Sequence, residues 1–159
     1  MTWVMLVDAL GHGPKAAEAA ALAVEAAEQF TATFSVERAL GQLHQRLHGS
    51  RGAAAALLRF EGSKVSFAGV GNVELRTLAG PAIPYMATNG VLGARMPRPR
   101  VGEVALEEPG RVLLFTDGIA RGTPIQSMIA LAPELLCERL IADHSLERDD
   151  ATVLHVSYS

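Results

Sequence analysis

The sequence predicts an α+β fold in which helices pack on a mainly antiparallel sheet as a layered sandwich. Three observations carry that reading. An alanine-rich block near the N-terminus reads as a long helix, the middle of the chain alternates apolar and small or polar residues, and an apolar strand stands near each end. The chain has 159 residues, 49% hydrophobic and 19% charged, the balance of a single domain spanning 1–159 with a buried core.

The elements follow in order. Trp3 to Val7 is an apolar strand running into Asp8. Gly11, Gly13 and Pro14 precede an alanine block of high helix propensity, which predicts a helix from Pro14 to about Phe34. Ser35 is a capping residue for a second helix, Val36 to His48, with Leu40, Leu43 and Leu47 on one face and Gly49 as its stop. Gly52 to Phe60 is small and apolar, Glu61-Gly62-Ser63 turns, and Lys64 to Val70 and Val73 to Leu78 alternate. These segments are expected as hairpin-linked antiparallel strands. Ala79 to Pro109 holds five of the eight prolines and is expected as two or three short strands joined by irregular loops. Arg111 to Thr116 is an apolar strand ending at Asp117-Gly118. Thr123 to His144 is helical with a break before Pro133, and Ala151 to Tyr158 is a last strand.

Composition removes several function classes. A net charge of -3 argues against a broad nucleic-acid footprint. The single cysteine, Cys137, excludes an internal disulfide and a cysteine-cluster zinc site. No apolar run approaches 18 residues, so no membrane span is expected. The N-terminus lacks a basic leader. A cytoplasmic globular domain is the expectation.

The five aspartates are unevenly placed. Asp8 and Asp117 leave apolar strands at their C-terminal ends, and Asp149 and Asp150 enter the last strand at its N-terminal end. An antiparallel last strand would bring all four to one sheet edge. Carboxylates crowded there repel one another, and a hard divalent cation such as Mg²⁺ or Mn²⁺ removes the repulsion. Taken singly, each aspartate reads first as a turn or capping residue, and only the set together favours a metal site.

Val7-Asp8-Ala9-Leu10-Gly11-His12-Gly13-Pro14-Lys15-Ala16-Ala17 resembles the Asp-Gly-Leu-Gly-His-Gly-Pro signature of the SpoIIE branch of the protein phosphatase 2C-like superfamily. Phe115-Thr116-Asp117-Gly118 resembles its Ser/Thr-Asp-Gly motif, and Arg148-Asp149-Asp150-Ala151-Thr152-Val153-Leu154 its closing Asp-Asp-x-Thr strand. Ser50-Arg51-Gly52-Ala53-Ala54, Phe67-Ala68-Gly69-Val70-Gly71-Asn72 and Asn89-Gly90-x-x-Gly93 fit the short, RsbX-like single-domain members. The resemblance runs from about Val4 to Ser157.

That resemblance implies an α-β-β-α sandwich of two mainly antiparallel sheets flanked by helices. It implies hydrolysis of phosphoserine or phosphothreonine on a partner protein by metal-activated water. Asp8 would be shared by two Mn²⁺ or Mg²⁺ ions, with the backbone carbonyl of Ala9, Asp117 and Asp149 as further ligands and Asp150 less favoured than Asp149. The implied partner is a phosphorylated regulator, a STAS-domain protein or stress-complex component.

Two departures stand out. Ala9 replaces the usual glycine, and a positive φ there would strain it. Only seven residues precede Asp8, so the family's first strand is expected to be missing, which puts the second of the two implied ions in question. Both departures motivate an alternative of another class, a non-catalytic phosphoprotein-binding module that retains the fold. The strand Trp3 to Val7 would then be an exposed edge suited to a homodimer.

Other residues carry weaker readings. His12 lies ahead of the long helix, where substrate contact competes with a structural role in a tight turn. Arg51 reads as a phosphate contact or as a structural ion-pair residue. Gly11 to Lys15 lacks the spacing of a nucleotide phosphate loop. His44 and His48, four apart, lack the glutamate of a zinc helix and read as structural. Cys137 reads as packing. Arg95, Arg98 and Arg100, set among prolines, read as a solvated loop or as a docking surface for an acidic partner.

Overall fold

The computed structural model describes residues 1–159. Strand β1 (Thr2–Ala9) leads to helices α1 (Pro14–Ala27) and α2 (Val36–Arg46). Strands β2 (Ala53–Glu61), β3 (Lys64–Val70), β4 (Glu74–Ala79), β5 (Gly102–Ala105) and β6 (Gly110–Phe115) follow. A short 3₁₀ turn (Ile125–Met128), helix α3 (Pro133–His144) and strand β7 (Val153–Tyr158) complete the chain.

The strands form two separate antiparallel sheets, β1-β2-β3-β5 and β4-β6-β7. Side-chain alternation makes β2 serve two cores at once. Ala55 and Leu57 face α1 and α2, where Ala19, Ala23, Leu40 and Leu43 meet them. Ala56 and Leu58 face the second sheet and pack in the layer that holds Leu75, Val112 and Leu114. The next residues of β6, Leu113 and Phe115, turn the other way onto Leu136 and Leu140 of α3. Three apolar layers between four structural layers give the expected α-β-β-α sandwich. Because β2 is covered on both faces, it reads as a continuous apolar run. Burying one such leucine contributes about 2 kcal/mol.

Local chemistry explains the helices. Ser35 accepts a hydrogen bond from the Arg38 amide at 3.1 Å and caps α2 as expected. Helix α1 stops at Ala27 rather than near Phe34. Beyond it the chain turns, and Phe30 packs at 5.1 Å between ring centroids on Trp3, with Phe34 against Phe30. Helix propensity loses there to a tertiary aromatic cluster. Helix α2 ends at Arg46, two residues early.

Two strand expectations are corrected. β4 does not form a hairpin with β3. It crosses at Gly71-Asn72-Val73 to the second sheet and pairs with β6. The stretch from Ala79 to Pro109 forms one strand, β5, with the rest as loops and isolated bridges. Strand β1 is a sheet edge, paired to β2 alone. No helix is long and apolar enough to cross a membrane.

Candidate metal centre

Antiparallel pairing puts the relevant chain ends together. The C-terminal end of β1 lies beside the N-terminal end of β2, with Asp8 opposite Ala54 and Ala9 opposite Ala53. The C-terminal end of β6 lies beside the N-terminal end of β7, with Phe115 opposite Val153. Stacking the sheets brings both ends to one mouth of the sandwich. The aspartates therefore meet across two sheets, not along one sheet edge. They line a cleft of about 610 Å³ whose wall includes Asp8, Ala9, His12, Asn72, Asp117, Asp149 and Asp150.

Main-chain bonds hold the second-sheet side. The Thr116 amide donates to the Thr152 carbonyl, and the Thr152 amide to Thr116 Oγ1, each at 3.1 Å. The Leu146 amide donates to the Gly118 carbonyl at 2.8 Å. Thr116 is the one fully buried polar side chain in the core. Gly118 is there because of closeness: a Cβ on it would stand 2.1 Å from the Asp150 carbonyl oxygen. The Asp-Gly pair thus lets the loop carrying Asp149 and Asp150 lie directly on the turn carrying Asp117.

On the first-sheet side, Asp8 and Ala9 belong to the strand itself. Ala9 is not in the positive-φ region, so alanine sits there without strain. The expected conflict at that position is absent. The Leu10 amide donates to the Gly52 carbonyl at 3.0 Å and turns the chain into the loop of Gly11, His12 and Gly13. That loop feeds the N-terminus of α1, where free amides and the helix dipole favour an anion. Gly11 has φ +78°, and a Cβ on it would meet Arg51 Nη1 at 2.7 Å. Arg51 is exposed, lies against this loop just outside the cleft wall, and makes none of the molecule's ion pairs.

The electrostatics follow from crowding. Asp8 is half-buried, and its carboxyl is pushed up to about 6. Desolvation is the largest cause, followed by the charges of Asp117 and Asp149, a hydrogen bond with Asp117, and the charge of Asp150. Asp117, Asp149 and Asp150 are exposed. An all-oxygen set carrying this much uncompensated negative charge suits a hard divalent cation. The side chains surround the cleft without closing on one point: no three Asp, Glu, His or Cys side chains converge on a common ion position.

The sequence does not single out Asn72 as a site residue. It donates its side-chain amide to Asp117 Oδ2. In the sequence it stands only as the end of a motif, and the available signal is a polar residue directly after the positive-φ Gly71 at a strand end. The residues read as structural are placed accordingly. His44 Nδ1 accepts the Gly93 amide at 3.0 Å, which is a satisfied structural histidine. Cys137 lies on α3, and partial burial pushes its thiol up. Arg95, Arg98 and Arg100 lie outside the cleft, with Arg98 3.9 Å from Glu37.

Comparison with known proteins agrees with this architecture. The family model described as Stage II sporulation protein E (SpoIIE) matches residues 1–159. No curated protein matches the sequence. One similar solved chain comes from work on the bacterial stressosome as a modular system adapted to control secondary messenger signaling. It is 29% identical, with TM-score 0.84, and the match covers 98% of this chain and 84% of that one. RsbX in complex with magnesium is 23% identical, with TM-score 0.79, covering 98% of this chain and 79% of that one. The catalytic domain of the serine/threonine phosphatase PstP in complex with two manganese ions is 12% identical, with TM-score 0.73, covering 99% and 88%. The last two are likenesses of fold.

Proposed function

The chain belongs to the SpoIIE family, and from that premise we propose that it is a metal-dependent phosphoserine/phosphothreonine protein phosphatase of the protein phosphatase 2C-like kind. The observation that carries the proposal is that Asp8 of β1, Asp117 in the turn after β6 and Asp149 in the loop before β7 line one open cleft.

In this reading Asp8, Asp117 and Asp149, with the Ala9 carbonyl, would hold Mn²⁺ or Mg²⁺, and Asp150 is the less favoured neighbour of Asp149. A divalent ion held there would supply hydroxide at neutral pH by lowering the pKa of water and would offset the phosphate charge. The remaining work falls to the chain's own residues. Asn72 fixes the orientation of the Asp117 carboxylate through its amide. Arg51, uncommitted and beside Gly11, supplies a planar fork of donors to the phosphate. His12, exposed at the entry to α1, donates to the phosphate or to the leaving serine oxygen. The openness of the cleft suits a phosphorylated side chain presented by another protein. The proposed substrate is a phosphorylated regulator, a STAS-domain protein or stress-complex component, as the family resemblance implies, and the likeness to a chain from work on the bacterial stressosome supports a regulatory partner.

The test is phosphate release from a generic phosphate ester with Mn²⁺ added or chelated, beside Asp117→Asn. Release that requires Mn²⁺ and is lost in the variant supports the phosphatase. Full metal-dependent activity in Asp117→Asn overturns the site assignment. A folded protein that binds phosphoprotein and releases nothing is instead the non-catalytic module. The free edge of β1 also offers a homodimer contact, and sedimentation showing a clean monomer at high concentration counts against it.

A further inference from the structure

A second groove, about 600 Å³, opens beside the aspartate cleft and shares Asn72 and Asp117 with it as a common wall. We infer that this groove seats the polypeptide flanking the phosphorylated residue, and that Arg121 selects an acidic side chain in that segment. The inference rests on the phosphatase reading of the adjoining cleft.

Geometry gives the direction. A phosphoserine seated among the aspartates belongs to a chain that must leave the cleft somewhere. One side is closed to an acidic segment by Glu147, Asp149 and Asp150. The other side passes Asn72 and Asp117 directly into the groove. Phe115, Ile119 and Ile125 give that groove an apolar floor. Its outer wall is held in shape: the Ala120 amide donates to the His144 carbonyl at 2.8 Å, and Thr123 Oγ1 donates to the Ala120 carbonyl at 2.7 Å. A braced wall accepts an extended segment at low ordering cost.

Charge gives the chemistry. Two arginines line the groove. Arg76 is engaged, 2.8 Å from Glu74 and 5.8 Å from the Phe115 ring centroid. Arg121 is exposed and makes none of the ion pairs in the structure. It is four residues from Asp117, hence within about 13 Å along the chain. Three or four residues of an extended peptide cover that span. The occupant is therefore a phosphoprotein segment with an apolar residue near the phosphoserine and an acidic residue within about four positions of it.

The probe is a pair of fluorescein-labelled peptides carrying a phosphonate analogue of phosphoserine, whose ester oxygen is replaced by CH₂ so that no turnover occurs. Both carry isoleucine two positions from the analogue on each side. One has glutamate four positions away on each side, and the other has lysine there. Binding is read by fluorescence anisotropy with Mn²⁺ present, at low salt because exposed pairs are screened. The wild-type protein is expected to bind the glutamate peptide about fivefold more tightly, against its own negative net charge. Arg121→Glu, checked for an unchanged melting temperature, is expected to reverse that order. Equal binding of the two peptides by wild type, or an order that Arg121→Glu leaves unchanged, overturns the inference. Ester hydrolysis measured in parallel reports on the phosphatase reading by itself. Its failure with the peptide preference intact removes the enzyme and leaves the groove.

Discussion

Asn72, where the chain leaves β3, donates its side-chain amide to Oδ2 of Asp117, where the chain leaves β6. The two residues belong to the ends of different sheets, so this bond spans the sandwich at its mouth. An amide donor commits one carboxylate oxygen and leaves the other free for a ligand. A group that orients a metal-binding carboxylate in this way typically changes affinity about tenfold when removed. Asn72→Ala is therefore expected to weaken Mn²⁺ binding about tenfold. The fold should survive, because Asn72 is exposed. Titration of Mn²⁺ by water-proton relaxation checks this, and an affinity within about twofold of wild type would refute the orienting role.

The crowding of Asp8 makes a prediction about the metal-free protein. Its folded carboxyl is raised from 3.8 to about 6. A raised carboxyl is an unfavourable contribution, absent below the unfolded value and fully present above the folded one. Stability of the metal-free protein should thus gain a component as pH falls from about 6 toward 4. Asp8 is half exposed, so solvent screening holds the effect to about 1 kcal/mol. Asp8→Asn should remove that component and raise the metal-free melting temperature at pH 7.5 by roughly 2–4 °C. A lower melting temperature for Asp8→Asn in chelator would show that the carboxylate is not strained there.

The strands that carry the site are legible because each is a dense apolar run stopped by aspartate. Trp3–Val7 before Asp8 and Val112–Phe115 before Asp117 place those residues at strand ends whatever the tertiary fold. Which sheet each strand joins is not legible from its own residues. Alternation in β4 looks the same whether its partner is β3 or β6, and the short Gly71-Asn72-Val73 link resembles a hairpin turn. The same crossing hides Asn72, whose partner lies 45 residues away in sequence. Propensity alone overextends helix α1 because alanine's preference is local, whereas the helix end is set by Phe30 meeting Trp3.

Two glycines separate closeness from backbone freedom. Gly118 has an ordinary φ, yet a Cβ there would stand 2.1 Å from a main-chain oxygen that cannot rotate away. Gly118→Ala should cost about 2 kcal/mol and push Asp149 and Asp150 outward, weakening Mn²⁺ binding. Gly41, inside α2, has open space where a methyl group would stand, with nothing within 4 Å, and carries the usual entropic penalty of a helical glycine. Gly41→Ala should stabilise the protein by about 0.5–1 kcal/mol and leave Mn²⁺ affinity unchanged. Chemical denaturation of both variants checks the contrast in sign.

Arg51 provides the sharpest separation between phosphate binding and metal binding. Its guanidinium lies against Gly11, beside the cleft, and has no carboxylate partner. A structural arginine would be paired, and its loss would appear as instability. An uncommitted arginine at the rim acts only when an anion arrives. Arg51→Ala should therefore leave the melting temperature and Mn²⁺ affinity unchanged, while raising KM for a phosphate ester about tenfold. Arg51→Lys keeps the charge but loses the planar fork, so it should recover only part of that loss. Equal KM values for wild type and Arg51→Ala would remove Arg51 from the phosphate site. A fall in kcat at unchanged KM would instead place its contribution in the transition state rather than in binding.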